Sequence, residues 1–237
     1  SRQTQTGSSG SSSCSVGERT VNTSEMAREA AMVAAKCRES QENGGHLDLS
    51  ECQLCQVPDA VFHLMRNTPL TTCNLSGNLL SKIPPKFALK FCLITELNVS
   101  HNKMSKLPEE LADCVELQRL DLSHNSYVNL PSVVFRLPKI KAIYANNNYI
   151  MDIEVEEVQR AKTLEEFDIT ENPLTPKSHD GLSAVTNLRI KLTRESWRSG
   201  KTSMSECTII PQGPHLAPFN LVNCGCHQSL ACESANL

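Results

Sequence analysis

Apolar residues recur along this chain in one frame. A single apolar residue is followed three places on by an apolar–x–apolar pair, then an asparagine, then another apolar residue. The frame reads Leu70, Cys73, Leu75, Asn78, Leu80 in one unit and Ile94, Leu97, Val99, Asn102, Met104 in the next. It continues through Leu117, Leu120, Leu122, Asn125, Tyr127 and through Ile140, Ile143, Ala145, Asn148, Ile150. A further unit carries Leu164, Phe167, Ile169, Asn172 and Leu174. An opening unit, Leu47, Leu49, Cys52, Leu54, places cysteine where the others place asparagine. The asparagines lie 24, 23, 23 and 24 residues apart.

The apolar–x–apolar pair predicts a short strand with both apolar side chains inward and the middle residue outward. Repetition at a fixed period predicts that these strands stack in parallel into a solenoid, since no single unit can bury its own apolar face. Each asparagine falls where the chain leaves the strand. An amide supplies donors and an acceptor for the backbone groups a buried turn would orphan. Asn78, Asn102, Asn125, Asn148 and Asn172 are therefore read as a structural ladder.

Between strands, apolar residues fall three apart, as at Leu111, Cys114, Leu117 and at Val134, Leu137, Ile140. That spacing predicts helical turns on the convex side. The run Val61–Met65 predicts the longest of them in the opening unit. Residues 24–43 predict a capping helix with Met26, Ala30, Val33, Ala34 and Cys37 on its inner face. Residues 44–175 hold six repeats. Residues 176–194, with Leu182, Val185, Leu188, Ile190 and Leu192, predict a closing cap. The Ser/Gly/Thr/Gln-rich residues 1–23 and the aperiodic 195–237 predict disordered tails. These tails look unlike the solenoid, and the native start is expected near Met26.

The formal net charge of −3 gives no electrostatic argument for nucleic acid. No apolar run is long enough for a transmembrane helix, and the capping helix lacks a basic face for membrane binding. Eleven cysteines invite a metal or disulfide reading. Cys52 and Cys73 are explained by the repeat. Cys52-x-x-Cys55 has no second pair nearby, and Cys224-Gly225-Cys226-His227 has poor spacing. No metal and no cofactor are expected. Nothing resembles a nucleophile–base–orienter set or a phosphate loop, so no enzyme is expected. The cysteine pattern, the absence of a leader-like stretch, and glycosylation sequons on the strand face itself predict a reducing, cytoplasmic location, with the nucleus left open.

The register also sorts out a displayed face. Outward positions include Asp48, Asn98, Asp121, Tyr144 and Asp168, followed by Ser50, Ser76, Ser100, Ser123, Asn146 and Thr170. Next come Glu51, His101, His124 and Glu171, with Glu96, Arg119, Lys141, Glu165 and Glu166 ahead of the pairs. The concave face is expected to be acidic, most strongly at both ends. The candidate partner site is Asp48, Glu51, Glu96, Asn98, His101, Arg119, Asp121, His124, Tyr144, Asn146, Glu166 and Asp168, with Tyr144 as its anchor. Such a face prefers a basic protein partner. Lys82, Lys86, Lys90, Lys103 and Lys106 cluster away from it.

The amphipathic stretch before Gly44-Gly45, the Leu47–Leu54 opening, the Val61–Arg66 run and the closing Asn172-Pro173-Leu174 resemble the short intracellular leucine-rich-repeat proteins. The resemblance covers about residues 26–194 and implies an α/β leucine-rich-repeat solenoid. It further implies a small non-enzymatic binding module; a scaffold or adaptor, acting as a monomer, is the expected role. The alternative is a regulatory subunit of an enzyme, such as a phosphatase or a small-GTPase pathway component.

Overall fold

The computed structural model describes residues 23–193, with side chains from residue 27 onward. Seven three-residue strands form one parallel sheet in sequence order: β1 His46–Asp48, β2 Thr72–Asn74, β3 Glu96–Asn98, β4 Arg119–Asp121, β5 Ala142–Tyr144, β6 Glu166–Asp168 and β7 Arg189–Lys191. Every strand pairs in the same register, so Leu47, Cys73, Leu97, Leu120, Ile143, Phe167 and Ile190 form one inward column. The first six of these are buried to 2% exposure or less, while Ile190 on the last strand is half-buried. An all-parallel sheet of this length holds only because its inner face is covered.

The ladder asparagines share one bonding scheme. Asn125 Nδ2 donates to the carbonyls of Val99, Leu122 and Ser123 at 2.9–3.1 Å, and its Oδ1 accepts from Met104 N at 2.9 Å. Asn102, Asn148 and Asn172 repeat this set one repeat apart. Asn78 Oδ1 accepts two amides, from Cys52 and Leu54. At the opening position the Cys52 thiol donates to Ser50 O at 3.2 Å, one fragment of what asparagine does elsewhere. Side-chain amides thus satisfy backbone groups that would otherwise be buried unpaired.

The convex side is built from short pieces. These are α2 Asp59–Leu64, α3 Pro85–Lys90 and α4 Val155–Arg160, with 3-10 turns at Glu109–Asp113 and Ser132–Arg136. The first three are six residues each, so the opening repeat does not carry the longest helix. Its extra residues go instead into a turn after α2, where Thr68 N bonds Met65 O. The longest convex helix is α5 Pro176–Ser183, begun by Thr175, whose hydroxyl accepts from Ser178 N.

Before the sheet, α1 spans Thr23–Glu42 and packs against α2 and β1. Val33, Cys37 and Ser40 form its buried stripe. Ala30, expected on that face, is exposed. Ala30 continues the spacing of 33, 37 and 40 by one turn, but lies beyond the buried stretch, which ends at Val33 on that side and at Ser40 next to the first repeat. Met26 lies outside the described side chains. Gly45 makes the passage into β1 possible: its φ is +85°, and a Cβ there would run into the Pro69 carbonyl.

Candidate interaction surface

The strand register places two columns of side chains on the sheet's outer face. One runs His46, Thr72, Glu96, Arg119, Ala142, Glu166, Arg189. The other runs Asp48, Asn74, Asn98, Asp121, Tyr144, Asp168, Lys191. Within these columns Asp48, Glu96 and Arg119 are exposed, and Asn98, Asp121, Tyr144, Glu166 and Asp168 are half-buried. The serines two places on are less available than expected. Ser100 and Ser123 are buried at 6% and 7% exposure, while Asn146 is half-buried.

Local hydrogen bonds explain this. The Oδ1 of Asp48, Asn74, Asn98, Asp121 and Asp168 each accepts the amide of the residue two places on. Asp121 and Asp168 also accept that residue's hydroxyl, from Ser123 and Thr170. These side chains close Asx turns at the strand ends. Tyr144 alone among those aligned residues from Asp48 to Asp168 is aromatic, and its residue falls outside this pattern.

Tyr144 instead joins a charged network. Arg119 Nη2 donates to the Tyr144 hydroxyl at 2.9 Å, and its guanidinium carbon lies 4.8 Å from the ring centroid. The hydroxyl donates to Glu166 Oε2 at 3.3 Å. Lys191 Nζ contacts Glu166 at 2.7 Å and Asp168 at 3.4 Å, and lies 5.9 Å from the same ring. The hydrogen bond from Lys191 holds the Glu166 carboxyl below its ordinary value, against a smaller opposing effect of burial. Burial raises the Tyr144 hydroxyl, with Arg119 opposing. Lys191 and Arg189 were absent from the expected site. Lys191 pairs with Glu166 and Asp168, so these two carboxylates of the C-terminal end are partly neutralised, while Glu165 and Glu171 there are exposed. At the N-terminal end Asp48, Glu51 and Glu96 are exposed and make no ion pair among the described residues. A shallow polar cavity of about 230 Å³, lined by Thr72, Asn74, Glu96, Asn98, Arg119 and Asp121, lies over β2–β4.

Beside the strands, one aligned position in each repeat adopts a left-handed backbone, and Gln53 (φ 56°) does so as well in the opening repeat. The aligned residues are Glu51, Gly77, His101, His124, Asn147 and Glu171, with φ between 52° and 66°. The shared conformation aligns His101 and His124, whose rings stack 4.0 Å apart at 11°. Among the described residues no three His, Cys, Asp or Glu side chains converge to hold a metal, and no helix is long and apolar enough to cross a membrane. The Cys224–His227 cluster lies outside those residues.

Residues 68–127 match the family model described as leucine rich repeat. Over 161 residues the chain is 27% identical to the mouse leucine-rich repeat serine/threonine-protein kinase 1, covering 67% of this chain and 8% of the kinase. Over 90 residues it is 32% identical to human leucine-rich repeat-containing protein 20, covering 37% of this chain and 49% of that protein. The chain thus spans less than half of the length of these relatives. A leucine-rich-repeat protein of Leptospira interrogans superposes with a TM-score of 0.52 at 25% identity, covering 59% of this chain and 34% of that one. The repeat period, the seven-stranded parallel sheet, the asparagine ladder and these matches establish the fold as a leucine-rich-repeat solenoid.

Proposed function

We propose that the protein is a non-enzymatic interaction module, a scaffold or adaptor, which binds a protein partner on the outer strand face around Tyr144. The observation that carries this reading is the network at Tyr144. A half-buried aromatic ring sits between Arg119 and Lys191 on a rigid parallel sheet, with its hydroxyl already engaged. Aromatic and arginine side chains on pre-organised surfaces supply most hot-spot energy, and little ordering entropy is lost when they are held beforehand. The carboxylates of Asp48, Glu51 and Glu96 favour a partner that is basic opposite β1–β3.

A second reading is a regulatory subunit acting on a separate catalytic chain. The similarity to a protein kinase supports it, since the matched repeats are 8% of that protein. It predicts co-purification with a catalytic chain whose activity changes when this chain is removed.

The test is partner capture with Tyr144→Ala/Asp121→Lys beside the wild type. The strand-face reading expects loss of the partners that the wild type retains. Undiminished capture places the site elsewhere.

A further inference from the structure

The lysines standing off the strands have no role in the face just described. The residue after each of Asn78, Asn102, Asn125 and Asn148 points away from the core, because its neighbours on both sides are buried. At Lys103 it is a lysine, but at Tyr149 it is a large aromatic, 54% exposed. Two places further on, Val128 and Met151 are 53% and 50% exposed. They are adjacent: Met151 N bonds Val128 O, and the next residues, Asn129 and Asp152, form a parallel bridge. Three exposed apolar side chains on neighbouring repeats make a ridge that the fold itself does not require. Beside it lies a groove of about 460 Å³ lined in part by Lys106, Leu107, Val128 and Pro131.

Lysines dominate the charge of this flank at repeats two and three. Lys82, Lys103 and Lys106 are exposed and make no ion pair among the described residues. Of the nearby carboxylates, Glu109, which also lines the groove, pairs with Arg136, whereas Asp152 accepts the hydroxyls of Thr175 and Ser178 and keeps its charge beside Met151. Unpaired lysines thus concentrate at repeats two and three, where Leu79 is also exposed, and the apolar ridge lies at repeats four and five beside Asp152.

We propose that this flank is a second docking surface, for an acidic amphipathic segment of a partner protein. Carboxylates at one end of the segment would meet Lys82, Lys103 and Lys106. Apolar side chains at the other would cover Val128, Tyr149 and Met151 and enter the groove. Three repeat steps of roughly 4.8 Å separate the two ends, the length of about ten helical residues. The occupant is a peptide rather than an anionic bilayer for two reasons. Three lysines fall short of the clusters of about four to eight that recognise acidic lipids. A side-chain-sized groove also suits a peptide.

The test uses the full chain and a fluorescein-labelled synthetic peptide of about twelve residues, glutamate-rich in one half and leucine/phenylalanine-rich in the other. Fluorescence anisotropy is read at rising salt. Binding should weaken with salt and fall about tenfold or more in K82E/K103E/K106E. It should fall similarly in V128S/Y149S/M151S and stay unchanged in Y144A, which separates this surface from the strand face. The milder K82S/K103S/K106S, checked by circular dichroism, guards against misfolding and should weaken binding in the same direction. Equal affinity for wild type and the folded variants overturns the proposal. So does no binding by wild type up to about 1 mM, or capture by phosphatidylserine vesicles in place of the peptide.

Discussion

The imidazoles of His101 and His124 stack face to face, 4.0 Å between centroids, and both residues hold a left-handed backbone, φ 53° and 52°. Burial, and then the neighbouring His101, hold the His124 imidazole below its ordinary value, with Asp121 opposing. The unfolded chain therefore takes up a proton at His124 at higher pH than the folded one. This contribution to stability is present above about pH 6.5 and is lost as pH falls through the folded value. Proton NMR titration should show His124 titrating below a model histidine. His101→Ala should move it back upward. A His124 midpoint unchanged by that substitution would contradict the account of the stack.

Asn125 is 5% exposed and makes four hydrogen bonds to backbone of two repeats. Asn125→Ala leaves those groups buried and unpaired, at about 1–3 kcal/mol for each that water cannot reach. Some relaxation is expected, so urea unfolding should show a loss of about 3 kcal/mol. Asn125→Asp keeps the acceptor but cannot donate, and should lose a similar amount.

The Tyr127 hydroxyl has the opposite character. It is buried with no hydrogen-bond partner among the described residues, and burial raises its pKa far above that of an ordinary tyrosine. Tyr127→Phe removes an unsatisfied polar atom and leaves the ring in place. Thermal unfolding should show no loss of stability, or a gain of about 1 kcal/mol.

Glu171 occupies the same left-handed position as Gly77, with φ 54° against 66°. A residue with a Cβ is strained there by about 1–2 kcal/mol, part of which glycine returns through its freer unfolded chain. Glu171→Gly should therefore raise stability by about 0.5 kcal/mol. Gly77→Ala should lower it by about 1 kcal/mol, since the new Cβ would also lie 2.9 Å from Glu51 Cγ.

The strand positions were legible in the sequence because burial imposes a strict frame: Leu97, Leu120 and Ile143 must all face in. The left-handed column was not legible, because only Gly77 and Asn147 are residue types that favour it. Glu51, His101, His124 and Glu171 are carried into that conformation by the stack. The Asx turns carried a signal that composition hid, an Asp or Asn two places before Ser or Thr, as in Asp121–Ser123 and Asp168–Thr170. The cations at the C-terminal end are hidden in the sequence because β7 has no ladder asparagine to announce it. Nothing in the repeat frame marks Arg189 and Lys191 as displayed, although Lys191 pairs two of the predicted site carboxylates.

A photo-cross-linking residue placed at Asn98, on the outer strand face, tests the proposed function most directly when compared with one at Leu89, exposed on the convex side. Irradiation of cells carrying each full-length variant, followed by mass spectrometry, reports which face the partner touches. The account predicts a discrete protein adduct from Asn98 that disappears with Tyr144→Ala. Adducts from Leu89 alone, or an Asn98 adduct indifferent to Tyr144, would contradict it.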